Sequence, residues 1–288
     1  MTTIDAVITS FNQREFVREA VESVLAQTAQ LGTIFVVDDG SNDPDSMATL
    51  ATLEREYAQV SVIRQENAGV SAARNAGLNA STADYVLVLD GDDKLAPTFI
   101  AQTAKQLEEK PEAKAASSWL RMFGVAHALV QPRGGDVTQF LTANSSPACV
   151  LLRHTAYEQT TGYDESMRAG FEDWDFFLSL LSTGGTIEIV PEELVHYRTS
   201  PVSANITSMN SRTTLYEQLL DKHADLFARH WRTALVESEQ RSTQRLLQWE
   251  DLARRAVPQP DLEHATYGDG GMASVVRLAS ARLGSASL

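Results

Sequence analysis

Asp90-Gly91-Asp92-Asp93 places three carboxylates in four residues, directly after the apolar run Tyr85-Val86-Leu87-Val88-Leu89. Like charges this close raise one another's pKa unless a cation neutralises them. Ligands that are all oxygen favour Mg²⁺ or Mn²⁺, which take few protein carboxylates and complete their shell with water and substrate phosphates. A solvated acidic turn would have the same composition. Asp38-Asp39-Gly40-Ser41 ends another apolar run, and a carboxylate there can accept from a nucleobase N–H or a ribose hydroxyl. Asp and Gly are equally ordinary turn formers. The stretch from Asn67 to Gly77 supplies a helix start and one cation, Arg74, able either to reach a nucleotide or to pair with a carboxylate. Phe171-Glu172-Asp173-Trp174-Asp175 opens an amphipathic stretch. Its acids suit the positive end of a helix dipole, and one of them, facing an acceptor hydroxyl, could serve as a general base. Trp174 fits either a core or the apolar face of a sugar.

The elements that must position these groups alternate. Ala6-Val7-Ile8 reads as a buried strand; Asn12 with Glu15 reads as the cap of a helix whose stripe is Phe16, Val17, Ala20, Val21, Val24 and Leu25. Thr33 to Val37 is a second strand, Asp43-Pro44 opens a helix reaching about Tyr57, and Val60 to Ile63 is a third strand. Ser71 to Asn79 is helical in composition, and Tyr85 to Leu89 is a fourth strand. Runs this apolar are buried on both faces, so the pattern predicts an open α/β fold with a parallel sheet between helices. Ligands bind at the carboxyl ends of such strands, where Asn12, Asp38, Asp39, Asp90, Asp92 and Asp93 all fall. Beyond Pro97 the pattern is mixed: a helix to about Lys110, extended pieces at Ala115 to Phe123, Ala126 to Val130 and Ala148 to Leu152, and a helical face of Trp174, Phe177, Leu178 and Leu181. Two short strands follow, Ile187 to Val190 and Leu194 to Tyr197, then a helical tail from Asn210 to about Ala256 ended by Pro258 and Pro260. The Gly-, Ala- and Ser-rich remainder has little to bury and reads as partly disordered.

Of 288 residues, 24 are Lys or Arg and 38 are Asp or Glu, a net charge of −14. Residues 205–288 carry ten of each sign, so the excess lies in residues 1–204, with 14 basic against 28 acidic side chains. Such a surface repels a nucleic-acid backbone, and none is expected as a partner. If the acidic part binds a phosphorylated ligand, repulsion must be offset by a dication or a few aimed donors. The single cysteine, Cys149, excludes an internal disulfide framework, and neither a signal-like amino terminus nor an apolar stretch long enough to span a bilayer is present, so a cytoplasmic location is expected.

Six motifs now stand in order: Thr9-Ser10-Phe11-Asn12, Val37 to Ser41, Asn67 to Gly77, Leu89 to Asp93, Gly162-Tyr163-Asp164-Glu165 and Gly170-Phe171-Glu172-Asp173-Trp174. Together they resemble the family 2 glycosyltransferases of the GT-A fold, over about residues 4 to 203. The resemblance implies a nucleotide-sugar donor, a UDP-sugar first and thymidine or guanosine diphosphate sugars next. It implies Mn²⁺ or Mg²⁺ held against the diphosphate by Asp92, with Asp90 near the ribose and Gly91 between them. Phe11 and Asp39, with Asp38, Arg74, Thr9 and Asn12 nearby, would surround the base. Asp173 would be the catalytic base, with Glu172 and Trp174 on the acceptor side, and a single displacement would invert configuration. The acceptor would be a glycan, a lipid-linked molecule or a small molecule.

Two positions depart from that pattern. Ser200 stands where the family often has a histidine near the metal, which leaves the contact to water, Arg198 or His196, and Phe11 stands where Tyr is common. Residues 1–204 are expected to form the catalytic domain, about 1–110 binding the donor and about 111–204 facing the acceptor, with 205–257 a helical extension and 258–288 a flexible tail. The extension's Leu215, Leu219, Leu220, Leu226, Phe227, Leu246, Leu247 and Leu252 would cover the core by default; a homodimer or a membrane surface are the other uses. Asn205-Ile206-Thr207 has the form of a glycan acceptor site that a cytosolic chain never uses. The rival functions are a nucleotide-binding member of the fold without turnover and an aspartate-dependent phosphohydrolase, which shares only the Asp90-Gly91-Asp92 pattern.

Overall fold

The computed structural model describes residues 2–201, 208–254, 264–265, 272 and 275–276. The amino-terminal half runs β1 (Ile4–Ser10), α1 (Glu15–Leu25), β2 (Ile34–Asp38), α2 (Pro44–Glu56), β3 (Val60–Arg64), α3 (Val70–Ala80) and β4 (Tyr85–Asp90). It continues with β5 (Lys94–Leu95), α4 (Phe99–Glu109), β6 (Ala113–Gly124), β7 (Ala128–Val130), a 3₁₀ turn (Val137–Phe140), β8 (Val150–Arg153), α5 (His154–Tyr157), α6 (Glu172–Leu181) and β9 (Thr186–Thr199). Two further helices, α7 (Arg212–Lys222) and α8 (Ala224–Arg254), and the short strand β10 (His264–Ala265) complete the described chain.

Successive residues of a strand face opposite sides, and each side finds its own core. Ala6, Ile8, Leu87 and Leu89 pack with α1 and α4, whereas Val7, Val37, Val86 and Val88 pack with α3, α6 and the 3₁₀ turn. Strands β3, β2, β1 and β4 are parallel, in register Ser10 opposite Asp38 and Thr9 opposite Asp90. That register is what brings the acidic strand ends to one edge. The expected parallel arrangement thus holds in the amino-terminal half; beyond β4 the sheet turns mixed, with β8 antiparallel to β4 and β6 antiparallel to β8.

Several local expectations hold and others change. Asp43 caps α2, its carboxylate accepting from the Ser46 N–H at 3.0 Å, with Pro44 in the first turn. Asn12 does not cap α1. That helix starts after Arg14, in the left-handed region at φ 51° and without a side-chain cap, while the Asn12 side-chain carbonyl accepts from the Asn42 and Asp43 N–H groups at 3.0 Å each. The neighbouring loop has backbone donors to satisfy, and Asn12 meets them. The two short strands expected near Val190 and Leu194 are one strand, β9; Pro191 and Glu192 lie in an irregularity where Val190 still pairs with Ser118 but Glu193 pairs with Trp119. A proline marks a bulge there, not an end.

In the extension, Leu215, Leu219 and Leu226 are buried and Phe227 packs against the same core, whereas Leu246 and Leu247 are exposed. Within residues 258–288 the reading of little to bury does not hold at Met272, Val275 and Val276, which are buried in the core around α1 and α4, and β10 pairs with β7. The Asn205-Ile206-Thr207 sequence lies outside the described residues. Among the described residues no helix is long and apolar enough to cross a membrane.

Candidate active site

At the carboxyl edge of the parallel strands lies a cleft of about 220 Å³, with Asp90, Glu172, Asp173 and Arg74 among its polar walls. Arg74, on α3, is 1% exposed. Its guanidinium donates to both oxygens of Asp90 at 2.8 and 3.1 Å and to Glu172 at 2.9 Å. Burial works against its charge, and Asp90 and Glu172 overcome that, holding its pKa well above the ordinary value. The buried cation therefore ties the end of β4 to the first turn of α6. Both readings of Arg74 merge here: it pairs with carboxylates, and those carboxylates wall the cleft.

Each member of the acidic tetrad has its own surroundings. Asp90 also accepts from the Thr9 hydroxyl at 3.2 Å. A Cβ on Gly91 would run into the Thr9 carbonyl, so this turn passes β1 only as glycine. Burial, then repulsion from Asp90, lifts the Asp92 carboxyl to about 6. Asp93 is buried and accepts from the Arg198 backbone N–H at 2.7 Å; burial, then Asp92 and Asp90, push it well above the usual carboxylate range. At Asp92 the charge of Arg198, whose guanidinium donates to the Asp92 backbone carbonyl at 2.8 Å, offsets burial and the Asp90 repulsion only in part.

On the base side, the Asp39 carboxylate accepts from Gln65 at 2.7 Å, Ala68 N–H at 2.8 Å and Gly69 N–H at 2.9 Å. Three of a carboxylate's roughly four acceptor sites are then used in shaping the loop before α3. Asp38 accepts from the Ser41 N–H at 3.0 Å and shapes its own turn. Asn12 is spent in the same way, on Asn42 and Asp43. Phe11, 45% exposed, is the one aromatic ring of this motif that stands in the open beside these loops. None of these groups lines the cleft; Asp38 and Asp39 are buried in their loops, Phe11 is exposed, and Asp90, which lines the cleft and accepts from Thr9, joins the two regions.

Helix α6 divides its acids by direction, because successive residues turn by about 100°. Glu172 and Asp173 face the cleft. Asp175, 1% exposed, faces α7 and accepts from Lys222 and His223 at 2.8 Å each. The helix begins at Phe171, left-handed at φ 64° and preceded by Gly170 at φ 117°, a backbone turn that aims the first two acids inward. Asp173 accepts from the Trp174 N–H and from the Asn144 side chain, each at 2.8 Å. Burial, then Glu172, raises its carboxyl to about 7.

Three expected contacts take another form. Trp174 lines the cleft as expected, but at 1% exposure, with its indole N–H donated to the Phe140 carbonyl at 2.6 Å and its ring packed near Phe171 and Tyr216, it is held within the core. His196 lies on β9 between Val195 and Tyr197, which wall the cleft, and strand alternation turns it to the other side. Its neighbours there are Lys94, Glu193 and Arg121, and burial, then Lys94, lowers its pKa. Arg198 is sandwiched between Phe16 and Phe123 at 4.1 and 4.6 Å, bound to Glu19, and donates to the Asp92 backbone carbonyl at 2.8 Å, so it braces the turn that carries Asp92. The cleft also has walls from the loop around Asn144 to Pro147 and from the helical tail, segments expected to set donor and acceptor but with no chemistry legible in the sequence: Asn144, and Ser208, Met209 and Arg212, joined by Met272 from beyond the tail. No spacing signal marks these, because only the fold brings them in. Among the described residues no group of three or more His, Cys, Asp and Glu side chains is arranged to hold an ion unaided.

A family model described as Glycosyl transferase family 2 matches residues 5–174, more than half the chain. The chain belongs to that family. Its relatives include the glycosyltransferase GlyA of Streptococcus pneumoniae, 33% identical over 106 residues that cover 37% of this chain and 15% of GlyA. They also include an uncharacterized glycosyltransferase, EpsJ of Bacillus subtilis, 24% identical over 237 residues, covering 76% of this chain and 66% of EpsJ. The chain therefore spans less than two thirds of the length of either. Among solved structures, S. aureus TarS 1-349 in complex with UDP superimposes with a TM-score of 0.57 at 15% identity, covering 80% of this chain and 72% of that one. The GT-A fold implied by the six motifs is the fold found. Family 2 membership displaces the phosphohydrolase reading of Asp90-Gly91-Asp92.

Proposed function

We propose that this family 2 chain transfers a sugar from a nucleotide-diphosphate donor, a UDP-sugar first, to an acceptor hydroxyl with inversion of configuration. The observation that carries the proposal is the Asp90–Arg74–Glu172 bridge, which fixes a carboxylate-rich strand end and a carboxylic base, Asp173, on the walls of one cleft. A binding protein has no use for a base on the acceptor side. The UDP bound to the TarS neighbour supports the choice of nucleotide.

A hard dication suits this site: the donors are all oxygen, and Asp92, lifted to about 6 beside Asp90, is the group a cation would relieve. Mn²⁺ or Mg²⁺ would be held by Asp92, with Asp90 as the second carboxylate, and when bound would stabilise negative charge on the leaving diphosphate. The chain's own groups do the rest. Phe11 offers a face to the base, and Asp39 its remaining acceptor site. Arg74 holds Asp90 and Glu172 in place. Asp173 takes the proton of the acceptor hydroxyl as the new carbon–oxygen bond forms and the bond to the diphosphate breaks, its electron pair leaving with the nucleotide. One displacement of this kind inverts the anomeric centre.

Thermal-shift titration with UDP, dTDP and GDP tests the donor assignment, since a ligand of the native state raises the melting temperature. UDP with Mn²⁺ is expected to raise it most, and chelator to remove most of that gain. Equal stabilisation by all three nucleotides in chelator would overturn the metal-assisted uridine reading.

A further inference from the structure

The carboxylate of Asp173 is held on both oxygens. Its Oδ1 accepts from the Trp174 backbone N–H, which the helix itself supplies, and its Oδ2 accepts from the Asn144 side chain at 2.8 Å. Asn144 comes from the loop between the 3₁₀ turn and β8, 29 residues away in sequence, and is 8% exposed on the cleft wall. Its amide cannot be turned round. The Ser146 N–H can only donate and reaches the amide oxygen at 3.3 Å, which leaves the NH₂ on the other side to face Asp173. The loop is fixed in turn by Ser145, whose hydroxyl donates to the Gln139 carbonyl at 2.6 Å and whose own carbonyl accepts from the Gly134 N–H at 2.9 Å. The side chain that touches Asp173 is therefore set by a chain of bonds reaching β9, where Gly135 pairs with Ile187.

We propose that Asn144 is a positioning residue for Asp173, aiming its carboxylate at the acceptor and favouring its ionised form by a hydrogen bond that only the loop before β8 can supply. The inference rests on the reading of Asp173 as the base. Burial, then Glu172 and Asp90, raise the pKa of Asp173 while Arg74 and the Trp174 N–H lower it; a further donor to the charged form also lowers a carboxyl's pKa, so Asn144 acts against the groups that would keep the base protonated. The bond also removes freedom about the side-chain torsion, leaving the free lone pairs facing the cleft.

The test is a carboxyl titration followed by NMR in protein carrying ¹³C-labelled aspartate, the Asp173 signal being the one lost in Asp173→Asn. In Asn144→Ala the Asp173 midpoint is expected to move up by about one pH unit, the loss of one hydrogen bond to a charged group. In Asn144→Asp, which keeps the shape and replaces the donor by a second acid, it is expected to move further. A merely structural asparagine would change the melting temperature and leave the midpoint in place. An Asp173 midpoint unchanged or lowered in the folded variants overturns the proposal, and the isosteric Asn144→Asp carries the test if Asn144→Ala does not fold. Affinity for UDP with Mn²⁺ is expected to stay within a factor of two in both variants; a larger loss would mean that Asn144 acts on the donor site instead. The base reading fails by a different result, full sugar transfer by Asp173→Asn, which the titration does not touch.

Discussion

At the scale of single residues, the site is a contest between burial and charge, and Asp173 shows how it is decided. Its carboxyl sits near 7 because burial and then Glu172 outweigh the Arg74 charge and the Trp174 N–H that favour ionisation. A base works only when ionised. Turnover should therefore be flat above about pH 7 and fall about tenfold per pH unit below it, and in Asp173→Asn it should drop by about 10² to 10⁴-fold while UDP affinity is unchanged. A steady-state pH profile with parallel UDP binding checks both. The same shift has a stability sign. A carboxyl whose folded pKa lies above its unfolded value of about 4 makes the native state hold the proton more tightly, so its contribution to stability declines as pH rises from about 4 to about 7. Urea denaturation at pH 5 and pH 8 should show less loss with rising pH in Asp173→Asn than in the parent chain.

Elements position these residues through close approaches that one atom can spoil. At Gly91 the turn after β4 lies against the Thr9 carbonyl, and both partners are backbone, so neither can step aside as a flexible side chain would. Gly91→Ala should cost about 1–3 kcal/mol, the usual range for overpacking, and should also weaken UDP binding in Mn²⁺, because the displaced turn carries Asp90 and Asp92. Unchanged melting and unchanged UDP affinity would show that the turn has slack. What the sequence discloses at this scale follows from range. The strands β1, β2 and β4 announce themselves because both their faces are buried, and their parallel order brings Asp38 and Asp90 to the same sheet edge on either side of β1. Asp43-Pro44 is legible because a cap is a local bond. Asn12 misleads because its partners, Asn42 and Asp43, are 30 residues away and outcompete the helix beside it. Asn144 is unreadable for the same reason: nothing near it in sequence says that it will touch Asp173. Asp175 belongs to a motif with Glu172, Asp173 and Trp174, but the turn of the helix sends it toward α7 while the other three line the cleft, and only a placed axis separates it from them.

Across the whole molecule the acid excess of residues 1–204, 14 basic against 28 acidic side chains, sets the field a phosphorylated ligand meets. Arg74 does not relieve it, since its charge is shared between Asp90 and Glu172, and Arg198 is bound to Glu19. On the proposed donor reading a diphosphate approaching this edge is expected to meet net repulsion, Arg212 on the cleft wall notwithstanding, until a cation intervenes, and repulsion between solvent-facing charges decays over about 10 Å at 0.1 M salt. The two conditions should respond to salt in opposite directions. In chelator, raising KCl from 50 to 500 mM should tighten UDP binding several-fold by screening carboxylate against phosphate. With saturating Mn²⁺ the same change should weaken it, because salt now screens an attraction and competes for the cation's partners. Calorimetric titration of UDP at the two salt concentrations, with and without the metal, separates the cases. Binding in chelator that weakens with salt would mean that protein cations alone hold the phosphates, and the dication would then have no electrostatic task in this cleft.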